Sequence, residues 1–121
     1  MSQRILVIED QEDNRRIVRD LLNSVGYELI EAVNGEEGVR AAADHIPDLI
    51  LMDIQLPGID GYEATRQIKA NPELQHIPII AVTSYALSGD DVKAYEAGCN
   101  GYVAKPFSPR ALLAKIREYL S

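Results

Sequence analysis

The chain has 121 residues, 46% of them apolar and 26% charged, proportions that suit one soluble globular domain with one core. The formal net charge is -7 and no Lys/Arg cluster is present, so neither a nucleic acid nor an anionic membrane surface is an expected partner. No apolar run approaches the ~20 residues of a membrane helix and no signal peptide precedes the first strand, so a cytoplasmic location is expected. The sole cysteine, Cys99, rules out an intrachain disulfide framework and lacks the setting that lowers a thiol pKa.

Arg4 to Glu9 reads as a strand built on the run Ile5-Leu6-Val7-Ile8, apolar on both faces as in a parallel sheet. Asn14 to Val25 reads as a helix with Ile17, Val18, Leu21, Leu22 and Val25 on one face, stopped by Gly26. Glu28 to Ala32 is a short strand. Asn34-Gly35-Glu36-Glu37 is a capping box that opens an Ala-rich helix to His45. Asp48 to Asp53 is the third strand, and Asp60 with Glu63 caps a helix that runs to Ala70 after the loop Leu56-Pro57-Gly58. Ile77 to Thr83 is the fourth strand. Ser88 with Asp91 caps a helix to Ala97, ended by Gly98. Asn100 to Ala104 is the fifth strand, and Ser108-Pro109 opens a last helix with the stripe Leu112, Leu113, Ile116 and Leu120. Strict alternation of five strands and five helices predicts an α/β fold, a doubly wound parallel sheet with right-handed crossovers. Nothing in the pattern divides residues 1–121, which are expected to form one domain.

In such a sheet ligands bind at the carboxyl ends of the strands. The residues there are Glu9, Asp10, Asp53, Thr83 and, just past the fifth strand, Lys105. Taken singly, Asp10 or Asp53 reads first as a helix cap, and Thr83 and Lys105 as ordinary strand and surface residues. Taken together they crowd three acids, a hydroxyl and an amine into one crevice. Carboxylates that close repel unless a cation or proton intervenes. With oxygen ligands and no His or Cys nearby, Mg2+ suits the set better than zinc. The loop Glu9-Asp10-Gln11-Glu12-Asp13 would repel a bare phosphate, so a phosphoryl group is tolerable only beside a metal and Lys105.

The segments Ile5-Leu6-Val7-Ile8-Glu9-Asp10, Pro47 to Pro57 with Asp60-Gly61, Pro78 to Thr83, and Ala97 to Phe107 carry a specific resemblance. Over its whole length the chain resembles the response-regulator receiver domains of two-component signalling. Glu9 stands where Asp is commoner in that family, and Ser84 where Ala is frequent. Within the family, Leu51 to Pro57 and the single-domain form are most similar to the DivK cell-cycle regulators.

The resemblance implies a flavodoxin-like sheet of order 2-1-3-4-5 and a cis Lys105-Pro106 peptide. It implies that Asp53 accepts a phosphoryl group from a histidine kinase or histidine phosphotransfer protein. Asp10, Asp53 and the backbone carbonyl of Gln55 would bind Mg2+ directly, with Glu9 acting through water. Thr83 and Lys105 would hold phosphoryl oxygens, and Thr83 with the aromatic Tyr102 would form the switch. Output would pass through the face of helix 4, strand 5 and helix 5 to a downstream protein, from a monomeric resting state. Gln55 and Tyr85 occupy positions that tune phosphoryl lifetime in the family, and the Tyr85 ring is expected to slow hydrolysis. Met1 and the full last helix favour a whole protein. Two other readings compete: a Mg2+-dependent phosphatase with an aspartyl nucleophile, which needs a substrate cap, and a pseudo-receiver, which would lack an acid or the lysine.

Overall fold

A computed structural model describes residues 3–83 and 90–120 of the chain. Its strands are β1 (Arg4–Ile8), β2 (Glu28–Ala32), β3 (Leu49–Asp53), β4 (Ile79–Thr83) and β5 (Gly101–Ala104). The helices between and after them are α1 (Glu12–Ser24), α2 (Gly35–His45), α3 (Gly61–Ala70), α4 (Asp90–Ala97) and α5 (Pro109–Arg117). All strand pairings are parallel, in the order β2-β1-β3-β4-β5. The expected fold class and strand order are therefore those observed. After β1 the chain crosses to one side to form β2, then returns past β1 to form β3. That reversal opens a crevice between the carboxyl ends of β1 and β3. Ile8 registers with Met52, so the next residues, Glu9 and Asp53, emerge side by side.

Alternation along each strand sends side chains to two separate cores. Leu6, Ile8, Ile50, Met52, Ile79 and Ala81 pack with Ala42 of α2, Ala64 and Ile68 of α3, and Ala94 of α4. Ile5, Val7, Leu49, Leu51, Ile80 and Val103 pack with Val18 and Leu22 of α1 and Leu112 and Ile116 of α5. Every residue of β3 and β4 is buried, as their unbroken apolar runs require of central strands. No helix among the described residues is long and apolar enough to cross a membrane.

The helix ends follow local chemistry. Asn34, Asp60 and Ser108 each accept the backbone N–H three residues on, from Glu37 (2.7 Å), Glu63 (2.9 Å) and Ala111 (3.0 Å). Gly26 and Gly98 take φ of 90° and 114° after α1 and α4, where a side chain would be strained. Ile46 also takes a left-handed φ of 46° after α2, a position the sequence does not advertise. The Lys105-Pro106 peptide is cis, as the resemblance implies. Ser84, Tyr85 and the Ser88 cap lie outside the described residues.

Several boundaries differ from expectation for identifiable reasons. Helix α1 begins at Glu12 rather than Asn14, and the Arg15 N–H closes the first turn on the Gln11 carbonyl at 3.0 Å. Ile17 is 59% exposed, because only a narrow arc of α1 faces the sheet and Val18 and Leu22 fill it. Asp48 precedes β3, its Oδ2 accepting the Arg4 N–H at 2.8 Å. Asn100 precedes β5, its Oδ1 accepting the Ile79 N–H at 3.0 Å and a hydrogen bond from Lys69 Nζ at 3.1 Å. The same ammonium donates to the carbonyls of Gln75 (3.0 Å) and Ile77 (2.7 Å), pinning α3 to the amino-terminal edge of the sheet.

Gly61, the first residue of α3, lies against the end of β3. A Cβ there would stand 2.3 Å from the Asp53 carbonyl oxygen and 2.7 Å from Ile54 Cα, both backbone atoms that cannot swing away. We expect Gly61→Ala to lose about 1–3 kcal/mol of stability in urea denaturation, the usual cost of overpacking. An unchanged midpoint would show that α3 can withdraw freely from β3.

Candidate functional site

Three acids meet at the ends of β1 and β3. Glu9 and Asp53 are each only 5% exposed, whereas Asp10 faces solvent. One carboxylate oxygen from each of the three lies within 4.8 Å of the others. Lys105, carried in by the turn after β5, places Nζ 2.7 Å from Glu9 Oε1 and 3.4 Å from Asp53 Oδ2. Thr83, at the end of β4, is 1% exposed. Gln55 links the two central strands: its backbone N–H donates to Asp53 Oδ1 (3.1 Å) and its Nε2 to Thr83 Oγ1 (3.0 Å). Glu9, Asp10, Asp53, Gln55, Thr83 and Lys105 are thus brought together at one edge of the sheet. Tyr102 is half-buried one strand away. It registers with Ala81, two residues before Thr83, so Tyr102 and Thr83 share a face of the sheet.

Charge in the crevice is unbalanced, with one ammonium against three carboxylates. Burial pushes the Asp53 carboxyl up from 3.8 to about 7, and the neighbouring Glu9 adds to the rise. Lys105 and the Gln55 N–H offset only part of it. Burial also works to raise Glu9, but hydrogen bonds with Asp53 and Lys105 outweigh it and hold Glu9 below its ordinary value. Asp10 is raised, first by burial and then by Glu9. Lys105 is raised despite its burial, because Glu9 and Asp53 favour its charged form. The donor set, all oxygen and in anionic excess, fits a hard divalent cation of the Mg2+ type.

Two features went unread in the sequence. Arg15 looks like a surface helix residue paired with Glu12, yet its Nη1 donates to the Glu9 carbonyl at 2.7 Å. A cavity of about 400 Å3 also opens beside Asp53 and Lys105, walled by Ile17, Val18, Phe107 and Leu112. The signal for it was Ile17, an apolar residue that the buried arc of α1 does not hold; Val25, expected on the same face, caps the helix and is also exposed.

Residues 5–117 match a family model, the response regulator receiver domain. The chain belongs to that family. It is 44% identical over 120 residues to the polar-differentiation response regulator DivK of Brucella anthropi, covering 99% of this chain and 98% of that protein. The DivK of Brucella ovis is 43% identical with the same coverage. Among solved structures, the receiver domain of the sensor histidine kinase PA1611 from Pseudomonas aeruginosa superposes with a TM-score of 0.92 at 39% identity, covering 98% of each chain. That receiver was crystallised with a magnesium ion in its active site cleft. The chemotaxis protein CheY4 of Vibrio cholerae superposes at 0.94 with 25% identity, covering 99% of this chain and all of that one. As a receiver the chain is a two-component signalling domain rather than a turnover enzyme.

The Asp53 shift has a consequence for stability. Between pH 3.8 and about 7 the folded receiver keeps a proton that the unfolded chain has lost, so stability falls as pH rises through that window. Asn at this position removes the penalty. In EDTA we expect Asp53→Asn to be more stable than the unaltered chain at pH 8, by on the order of 1–3 kcal/mol, with the gap closing toward pH 4. Urea denaturation at both pH values measures it, and a gap independent of pH would show that Asp53 is not under charge strain.

Proposed function

We propose that the chain is a single-domain response regulator, residues 1–121 forming one receiver, in which Asp53 is the phosphoacceptor. The carrying observation is the buried Asp53 flanked by Glu9, Asp10, Lys105 and Thr83 at the strand ends. The near-complete coverage of DivK relatives supports the single-domain form. An Asp53 carboxylate oxygen attacks the phosphorus of a phosphohistidine on a histidine kinase or phosphotransfer protein. The P–N bond breaks, and its electron pair leaves with the imidazole. Asp10, Asp53 and the Gln55 carbonyl would hold Mg2+, with Glu9 acting through water, and the bound ion would supply the charge that offsets the crowded oxygens. Lys105 stands where its ammonium can donate to a phosphoryl oxygen, a charge-assisted bond. The Thr83 hydroxyl takes another. The apolar cavity beside Asp53, rimmed by exposed Ile17, gives the donor protein a surface to rest on. Hydrolysis of the acyl phosphate resets the domain, with Gln55 and Tyr85 setting its rate.

Moving the conformational equilibrium from 1:99 to 99:1 takes ~5.5 kcal/mol, which a few charged hydrogen bonds at ~1.5–3 kcal/mol each can supply. We place the output on α4, β5 and α5. Val92 and Tyr95 lie one turn apart on α4, 52% and 51% exposed, and Tyr102 is half-buried on β5. Movement of Thr83 toward the phosphoryl group would draw Tyr102 inward and reshape this face for a downstream protein. At rest the chain is monomeric in this reading, and its place of work is the cytoplasm.

Incubation with acetyl phosphate and Mg2+, followed by mass measurement, tests the acceptor. We expect one phosphoryl adduct, absent in Asp53→Asn and in EDTA. An adduct that survives either change would sink the assignment, and the pseudo-receiver reading would gain if the unaltered chain forms none.

Beryllofluoride, an acyl-phosphate mimic, tests the face. Signals of Tyr102, Val92 and Tyr95 should shift in NMR spectra together with those around Asp53. If only the neighbours of Asp53 respond, the output runs by another route.

A further inference from the structure

Arg15 hydrogen-bonds the backbone between the first two acids, a contact with no part in the site as described so far. Its side chain is 12% exposed, low for an arginine on a surface helix. Nη1 donates to the Glu9 carbonyl at 2.7 Å, while the rest of the guanidinium pairs with Glu12 and, at 3.4 Å, with Glu31 of β2. The Glu9 carbonyl belongs to the peptide plane that joins Glu9 to Asp10. On its other side Glu9 is fixed by its own N–H, which donates to the Ala32 carbonyl at 3.0 Å. Turning the Glu9–Asp10 peptide therefore requires breaking the Arg15 bond, and the direction of the Asp10 side chain follows that plane. Arg19 shares the same anions, forking onto Glu31 at 2.8 and 2.7 Å and reaching Glu12 at 3.3 Å, but no described hydrogen bond joins it to Glu9 or Asp10.

We infer that Arg15 is a positioning residue for divalent-cation binding, locking the peptide between Glu9 and Asp10 so that Asp10 faces Asp53. The inference rests on the metal-site reading above. The expected effect of losing Arg15 has a sign opposite to that of plain electrostatics. Deleting a cation near three carboxylates should tighten Mg2+ binding if charge alone matters. Loss of the clamp should weaken it, as loss of groups that orient metal ligands does.

Mg2+ titrations of the full chain, followed by NMR or tyrosine fluorescence, separate the two. We expect Arg15→Met to raise the Mg2+ Kd roughly tenfold. Arg19→Met, which removes an equal charge from the same network, should leave it unchanged or lower it. Arg15→Lys, with its charge and one donor intact, should recover part of the loss. The rate of phosphorylation by acetyl phosphate should return to that of the unaltered chain once Mg2+ saturates Arg15→Met, since the acceptor and Lys105 are untouched. Melting in EDTA confirms that each variant folds, and Arg15→Lys against Arg19→Met carries the comparison if Arg15→Met does not. An unchanged or tighter Kd in Arg15→Met, or equal weakening in Arg19→Met, overturns the inference. Failure of the unaltered chain to bind Mg2+ overturns the metal-site reading and this inference with it.

Discussion

The crowding of three carboxylates around one ammonium organises this molecule. Glu9 and Asp53 are buried together at the point where the chain reverses direction across the sheet, and Lys105 supplies a single positive charge between them. The arrangement costs stability, which the two apolar cores on either side of the sheet must offset. It also creates an unmet demand for positive charge. The site is poised because the fold holds together groups that would separate if free.

The fold was legible because its central strands declare themselves. Leu49 to Met52 and Ile79 to Val82 are short apolar runs without alternation, bounded by Pro47 and Pro78, as strands covered on both faces are. Once the alternation of strands and helices is accepted, Glu9, Asp10, Asp53, Thr83 and Lys105 fall at one edge by topology alone, and the structure brings them within reach of one another. The legible part of the site is thus the part fixed by strand direction.

What escaped sequence reading depends on side-chain reach. Arg15 at three residues from Glu12 reads as an exposed helical ion pair, and nothing local says that it also grips a carbonyl six residues back. The Gln55 amide likewise meets Thr83 twenty-eight residues away, across a strand boundary. Ile17 misled for a simpler reason: five apolar positions were assigned to a helix face with room for fewer. The strands expected to start at Asp48, Ile77 and Asn100 start at Leu49, Ile79 and Gly101, because the side chains of Asp48 and Asn100 accept the neighbouring strand's N–H and Pro78 has no N–H to give.

The pinning of the opposite edge by Lys69 separates two ends of the molecule. Its ammonium ties α3 to the Gln75 and Ile77 carbonyls and to Asn100, all remote from the acids. The join between α3 and the sheet is thereby anchored at the rim opposite the acids. Exposed Ile17 and Val92 take no part in that pinning. Substitutions around the acids and substitutions around Lys69 should then act on stability independently, each end tolerating change without loosening the other.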